Sequence, residues 1–180
     1  MWTYVGPLDD PKPDRSEWIS TGSRCVRPTE AIDDAPLPAL SAREFRRLPI
    51  PAGKAHIQPE GRPVLVNYPM IVYVDAEPVT LSATVLGARV DVLATPSQYT
   101  WTFGDGQTLT TTNPGGPYPV MDTTHTYERT GRFAVTLSTT YTGRYRVEGS
   151  DEWLPVTGTA QVASAPIAIE VIETRAVLVP

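Results

Sequence analysis

Large apolar side chains alternate with polar or small ones along several segments in the second part of the chain. The segments are Val79–Val85, Arg89–Ala94, Tyr99–Phe103, Phe133–Ser138 and Ile167–Val171. A period of two places successive side chains on opposite faces of an extended strand, so that one face can be buried while the other meets water. Because turn residues separate the segments and no helical period follows residue 62, the pattern predicts an all-β domain built as an antiparallel β-sandwich.

Prolines divide the chain into two parts. Eleven of the 19 prolines lie within residues 7–69, and the others are spread thinly over the rest. Proline lacks an amide hydrogen and fixes one backbone dihedral, so dense proline favours an extended chain. We therefore expect residues 1–62 to form a Pro-rich N-terminal arm and residues 63–180 to form the β-sandwich. Because Trp18, Ile19 and Val26 are apolar, we expect the arm to pack on this body.

Two short elements are predicted inside the arm. The apolar pieces Glu17–Ser20 and Arg24–Val26 flank a three-residue link that contains glycine, a pattern typical of a short hairpin. Residues 41–48 favour a short helix, because Ser41 and Glu44 have the spacing of a capping box. The proline that follows ends this helix, since a residue before proline is pushed out of the helical region.

Charge and composition disfavour several classes of protein. The formal net charge of −5 is the wrong sign for clustered cations that bind nucleic acid or an anionic membrane surface. No run of 18 apolar residues is present, so no membrane-spanning helix is predicted. The single cysteine, Cys25, cannot form an internal disulfide. The first residues lack the apolar centre of a signal peptide, which leaves two alternatives, a cytosolic protein or a chain whose leader has been removed.

Two motifs stand out in the body. The first, Trp101–Gly106, has the sequence Trp-Thr-Phe-Gly-Asp-Gly, and the second, His125–Tyr127, has the sequence His-Thr-Tyr and is followed by Gly131. In this order they resemble the signature of the PKD family, over roughly residues 78–174. The resemblance implies an immunoglobulin-like antiparallel β-sandwich. It also implies an extracellular or cell-surface location, with any leader or anchor absent from this chain.

Packing and turn chemistry assign structural roles to the motif residues. Trp101 brings the largest apolar side chain to a central strand. Asp105 and Gly106 favour a tight turn, because Asp can bond the local backbone and Gly can adopt a positive φ. Tyr127 lies where sandwich domains place a tyrosine corner, and His125 is expected to brace the same turn. The full structural set is Trp101, Phe103, Gly104, Asp105, Gly106, His125, Tyr127 and Gly131.

No metal or catalytic site is predicted. Some PKD domains bind calcium, and Asp105 is the first residue to consider, but calcium needs six to eight oxygens and this turn has one obvious carboxylate. His56, His125 and Cys25 are too few for a zinc site. The sequence has no nucleophile motif and no phosphate-binding glycine loop. We therefore expect a non-enzyme without a cofactor, with calcium as the one alternative.

The chain is longer than the family pattern at two places. Residues 107–124 form an insertion between the motifs, and residues 141–158 replace a tight turn with an excursion that is predicted to extend two strands into a long hairpin. Because loops on a rigid sandwich often carry binding residues, Trp153, Tyr118 and Tyr145 are the candidate binding residues. The alternative is that Trp153 and Tyr118 pack on each other or hold the arm against the body.

These observations predict a non-catalytic extracellular or cell-surface interaction module that binds protein or glycan through its loops and arm. One alternative is a structural subunit of a surface assembly or filament, in which the arm contacts a neighbouring copy and makes a homo-oligomer. Another is an accessory domain of a secreted hydrolase. Nucleic acid is not an expected partner.

Overall fold

The computed structural model describes residues 39–85 and 87–174. This part of the chain contains one short helix and ten strands. In chain order they are α1 (Ala42–Phe45), β1 (Lys54–Gln58), β2 (Val64–Leu65), β3 (Met70–Asp75), β4 (Val79–Val85), β5 (Ala88–Thr102), β6 (Thr108–Thr111), β7 (Thr124–His125), β8 (Gly131–Val147), β9 (Leu154–Ala163) and β10 (Ile167–Ile172).

Strands β5 and β8 form a long antiparallel pair at the centre of the larger sheet. The pairing joins Val90–Thr102 of β5 to Thr136–Val147 of β8. The opposite edge of β5 pairs with β4 along one half and with β6 along the other. The opposite edge of β8 pairs with β10 and then with β9. The larger sheet therefore has two halves, joined only by the length of β5 and β8.

The strands predicted from alternation are confirmed, with one change in their number. Val79–Val85 is β4, and the alternating segments near residues 133 and 167 lie in β8 and β10. The segments Arg89–Ala94 and Tyr99–Phe103, predicted as separate strands, belong almost entirely to the single strand β5. The register shifts between Pro96 and Gln98, and this bulge bends the strand without ending it.

A smaller sheet covers one half of the larger sheet. Its strands are ordered β1-β3-β7, all antiparallel. Between the two sheets lies a core whose buried members are Ile57, Val64, Met70, Val72, Val74, Tyr99, Trp101, Phe103, Tyr127, Val135, Leu137 and Val171. Two antiparallel sheets that enclose such a core form an all-β, immunoglobulin-like sandwich, which confirms the predicted fold class.

A second core lies under the other half of the larger sheet, where the segment before β1 covers it. The buried side chains of this second core are Leu40, Phe45, Ile50, Val85, Val90, Val92, Ala94, Tyr141, Tyr145, Val156 and Ala160. The Tyr141 hydroxyl also donates to the carbonyl of Pro51 at 3.0 Å, which fixes the end of the covering segment. One helix and its flanking chain thus replace a second sheet over this half.

The helix predicted at residues 41–48 is present but shorter. Ser41 Oγ accepts a hydrogen bond from the Glu44 amide, and the Glu44 carboxylate accepts one from the Ser41 amide at 3.0 Å, so the capping box is confirmed. The helix ends at Phe45, and the amides of Arg47 and Leu48 bond the carbonyls three residues earlier, in tighter turns. Proline at position 49 excludes helical geometry at Leu48 and so shortens the helix.

The predicted boundary at residue 62 cuts through the folded unit. Strand β1 and the buried side chains of Leu40, Phe45 and Ile50 all precede it. The chain divides instead into two compact units, residues 1–37 and 38–180. The Pro-rich segment after residue 38 is therefore part of the sandwich, because strands and core contacts continue through it. The hairpin predicted from residues 17–26 lies outside the described residues.

We predict that Gly143→Ala destabilises the protein through Phe45. A Cβ at position 143 would lie 2.8 Å from two ring carbons of Phe45 and 2.9 Å from Val156 Cγ2. Such overpacking costs about 1–3 kcal/mol of unfolding free energy. In a Phe45→Ala background, which itself costs about 3–5 kcal/mol, both ring contacts are removed and only the contact with Val156 remains, so the cost of the added methyl should be smaller. Urea unfolding of the single and double variants measures the coupling, and an equal cost in both backgrounds would contradict the packing described.

Candidate functional site

The first motif forms a tight turn at the end of β5. Asp105 Oδ1 accepts a hydrogen bond from the Gln107 amide at 2.9 Å, and Gly104 and Gly106 have φ values of +80° and +98°. Glycine at 104 is required twice over, because a Cβ there would also lie 2.9 Å from the carbonyl oxygen of Ala134. The predicted turn is thus confirmed.

The second motif braces this turn from the neighbouring sheet. His125 Nε2 lies 2.8 Å from Asp105 Oδ2, and both side chains are almost fully buried. The imidazole stacks on Phe103, with ring centroids 3.8 Å apart and planes 4° apart. The Tyr127 hydroxyl donates to the carbonyl of Phe103 at 2.8 Å, as a tyrosine corner would. The two motifs therefore meet in one buried cluster.

The electrostatics of this cluster suit a structural role. Burial alone raises the pKa of Asp105, but the hydrogen bonds from Gln107 and His125 and the charge of His125 outweigh it, so the pKa is held below its ordinary value. Burial, helped by the charge of Asp105, raises the pKa of Tyr127 far above its usual range. Asp105 is therefore ionised and Tyr127 neutral at neutral pH, and each is committed to a hydrogen bond within the protein.

Both carboxylate oxygens of Asp105 already have partners, which bears on the calcium alternative. The nearby Asp122 accepts a hydrogen bond from Asn113 Nδ2 at 3.1 Å. Within residues 39–85 and 87–174, no group of three or more His, Cys, Asp or Glu side chains is arranged to hold a metal ion. A calcium ion at Asp105 would have to share these oxygens with the Gln107 amide and His125.

The insertion at residues 107–124 is anchored on the smaller sheet. After β6, the Pro114 carbonyl accepts a hydrogen bond from the Val74 amide at 2.9 Å. The Tyr118 amide donates to Gln58 Oε1 at 2.8 Å, and Gly115 donates to Asn113 Oδ1 at 2.9 Å. The segment thus has fixed attachments to both β3 and β1.

This insertion presents an apolar surface to solvent. Tyr118 is 72% exposed, and Val120 and Met121 are also exposed. We call these three side chains the insertion surface. Large exposed apolar side chains that lie close together in sequence are typical of a contact site for another molecule. Tyr118 is the predicted binding residue that the structure leaves most accessible.

The other two predicted binding residues have different surroundings. Residues 141–158 form the predicted hairpin of β8 and β9, and Tyr145 faces inwards there with 4% exposure, so its assignment as a surface residue was wrong. Its side chain belongs to the second core because α1 covers that face of the hairpin. Trp153 is half-buried, and the guanidinium carbon of Arg146 lies over its ring, 5.1 Å from the ring centroid. Trp153 contacts Arg146 on β8, whereas Tyr118 bonds Gln58 on β1.

Sequence reasoning missed an aromatic pair on the outer face of the smaller sheet. His56 on β1 stacks on Tyr73 on β3, with centroids 4.7 Å apart, and bonds Asp75 at 2.8 Å. The only signal was the alternation of Lys54, His56 and Gln58 with apolar residues, which places all three on one face of a strand. The high proline content around β1 masked this signal.

The exposed His56–Asp75 pair is a control for a prediction about the buried pair. Asp105→Asn should lower the unfolding free energy at pH 7 by about 1–3 kcal/mol, because a buried charged hydrogen bond is lost. Asp75→Asn should have little effect, because Asp75 is largely exposed. Urea unfolding of both variants at pH 7 measures the difference.

The effect of Asp105→Asn should also depend on pH. The pKa of Asp105 is lowered by folding, so its stabilising contribution is present above the unfolded-state value of about 3.9 and is lost as pH falls through the folded-state value. The difference in unfolding free energy between wild type and Asp105→Asn should therefore become smaller in acid. A difference that stays constant down to pH 3 would show that the charge of Asp105 does not stabilise the fold.

Comparison with known proteins agrees with the motifs. The family model of the PKD domain matches residues 66–141, whereas no curated protein and no solved structure matches the chain. The match begins before β3, earlier than the motifs predicted, and ends within β8.

Among the described residues, no helix is long and apolar enough to cross a membrane. PKD domains are generally non-catalytic, typically extracellular modules that mediate protein interactions. The match over residues 66–141 thus supports the recognition of a PKD domain in this chain.

Proposed function

We propose that this protein is a non-catalytic interaction module that binds another protein at the cell surface through its insertion surface. The observation that carries the proposal is the exposure of Tyr118, Val120 and Met121 on a segment bonded to two strands of the PKD domain. An apolar surface of this kind loses contact with water when a partner covers it.

The anchoring of the insertion favours binding. Hydrogen bonds from Val74 to Pro114 and from Tyr118 to Gln58 hold the segment at both strands. A surface that is ordered before binding loses less conformational entropy when the partner arrives. Tyrosine and methionine are also enriched in protein interfaces, and tyrosine is frequent among the residues that dominate affinity.

The composition of the surface favours protein over glycan. A sugar ring stacks on an aromatic side chain but also needs polar groups beside that ring for its hydroxyls. The neighbours Val120 and Met121 offer no such groups, whereas a flexible, polarisable thioether adapts well to a protein surface. The alternatives of an arm-mediated assembly and of a hydrolase accessory domain gain no support from any contact among residues 39–85 and 87–174.

Photocrosslinking tests the proposal directly. A benzoylphenylalanine residue replaces Tyr118 in one full-length variant and Tyr68 in another, each produced in the organism's own cells. Tyr68 is a matched control because it is 63% exposed but lies outside the insertion. We expect crosslinks to a defined protein from position 118 and few or none from position 68.

A double substitution separates binding from stability. In a pull-down without a crosslinker, Tyr118→Ser combined with Met121→Ser should reduce the yield of the partner protein at least about tenfold relative to wild type, since central aromatic residues contribute about 2 kcal/mol or more to an interface. The melting temperature should not change, because both side chains are exposed. Equal capture by the double variant, or crosslinks from position 68 alone, would overturn the proposal, and retention on a glycan array alone would replace protein with glycan.

A further inference from the structure

A cleft of about 460 Å³ lies between the two sheets, where β1 of the smaller sheet comes near β10 of the larger one. Lys54–Ile57 of β1 form one wall, Ile167–Glu170 of β10 form the other, and residues 59–63 also line the cleft. Successive residues of a strand point to opposite faces. A space lined by four consecutive residues of a strand must therefore run along its edge, and this is true of both walls. We call this space the edge cleft.

Both strand edges that line the cleft lack a neighbour within the described part of the chain. β1 pairs only with β3, on its other side. Residues 167–171 of β10 pair with β8, and β2 reaches only Val171 and Ile172. An unpaired edge presents amide and carbonyl groups to the cleft, and an added strand can bond to them.

The side chains around the cleft specify what such a strand would carry. Ala55 and Ile57 of β1 and Ile167 and Ile169 of β10 face the sandwich core, and three of the four are only partly buried. Apolar side chains at alternate positions of an added strand would cover them. This arrangement favours a segment with a period-two pattern.

Charges on the outer side of the cleft favour a carboxylate beside β1. Lys54 lies opposite Asp75 in the register, but Asp75 is bonded to His56, and Lys54 forms no ion pair with any residue the structure describes. Glu60, Glu170 and Arg62 also line the cleft. Of the two strand edges, the one on β1 carries a cation, Lys54, and the one on β10 carries a carboxylate, Glu170.

We propose that the edge cleft binds an extended segment of a partner protein, which adds to β1 as a strand and carries apolar residues at alternate positions with carboxylates facing Lys54. Main-chain hydrogen bonds provide affinity, and the alternating side chains provide selectivity. The insertion surface is not needed for this contact, so the inference is independent of the proposed function.

Two synthetic peptides test the proposal on the full-length protein. The first is the capped heptapeptide Thr-Val-Glu-Val-Glu-Val-Thr, and the second has lysine in place of both glutamates. In an NMR titration of isotope-labelled protein, the glutamate peptide should shift the amide signals of Lys54–Ile57 and slow the solvent exchange of those amides among them that point into the cleft rather than towards β3. The lysine peptide should bind more weakly.

A charge reversal at Lys54 makes the test specific. Lys54→Glu should weaken binding of the glutamate peptide about three- to tenfold and strengthen binding of the lysine peptide, because facing charges on paired strands attract or repel. Arg43→Glu makes the same change of charge at an exposed position on α1, outside the cleft, and should alter neither affinity.

Several outcomes would overturn the proposal. Signals that shift elsewhere, equal binding of the two peptides, or no change in Lys54→Glu would each do so. If Glu170→Lys rather than Lys54→Glu changes the affinity, the strand adds to β10 and the assignment to β1 is wrong. If light scattering shows a dimer that Lys54→Glu dissociates, the occupant is a second copy of the chain and the proposal fails.

Discussion

The pairing of β5 with β8 is the constraint on which the rest of the structure depends. Each core uses alternate side chains from both strands: Trp101 and Leu137 on one side of the bulge near Pro96, Val92 and Tyr145 on the other. The period of two decides which face of each strand is buried along its length. A slip of one residue between the two strands would expose both cores, so the register is held by two sets of apolar contacts.

The two cores show why some features could be predicted from sequence and others could not. Alternation identified the strands because each has one solvent-exposed face and one buried face. The capping box identified the start of α1 because its hydrogen bonds join residues close in sequence. Alternation of Arg144 and Arg146 with Tyr145 and Val147 indicates an apolar face there, but the packing of α1 against that face, which buries Tyr145, could not be predicted. The boundary at residue 62 failed for a similar reason: proline density describes local chain stiffness, whereas the pairing of β1 with β3 is a long-range contact.

The residues of the two sequence motifs stabilise the fold. The side chains of Asp105, His125 and Tyr127 form hydrogen bonds within one buried cluster. In contrast, Tyr118 lies in an insertion that departs from the family pattern, and its side chain is exposed to solvent. The edge cleft was invisible in the sequence, because the distance between β1 and β10 along the chain is large and neither strand carries a motif.

The length of the central pair has a mechanical consequence. Fifteen residues of β5 at about 3.3 Å each give a rod of roughly 50 Å. The first motif ends this rod at one extremity, and the hairpin of β8 and β9 extends beside the other. Because the strands are laterally bonded throughout, tension applied along them loads many hydrogen bonds at once in shear. Attachments at the two ends of this pair would therefore be spaced by the length of the strands.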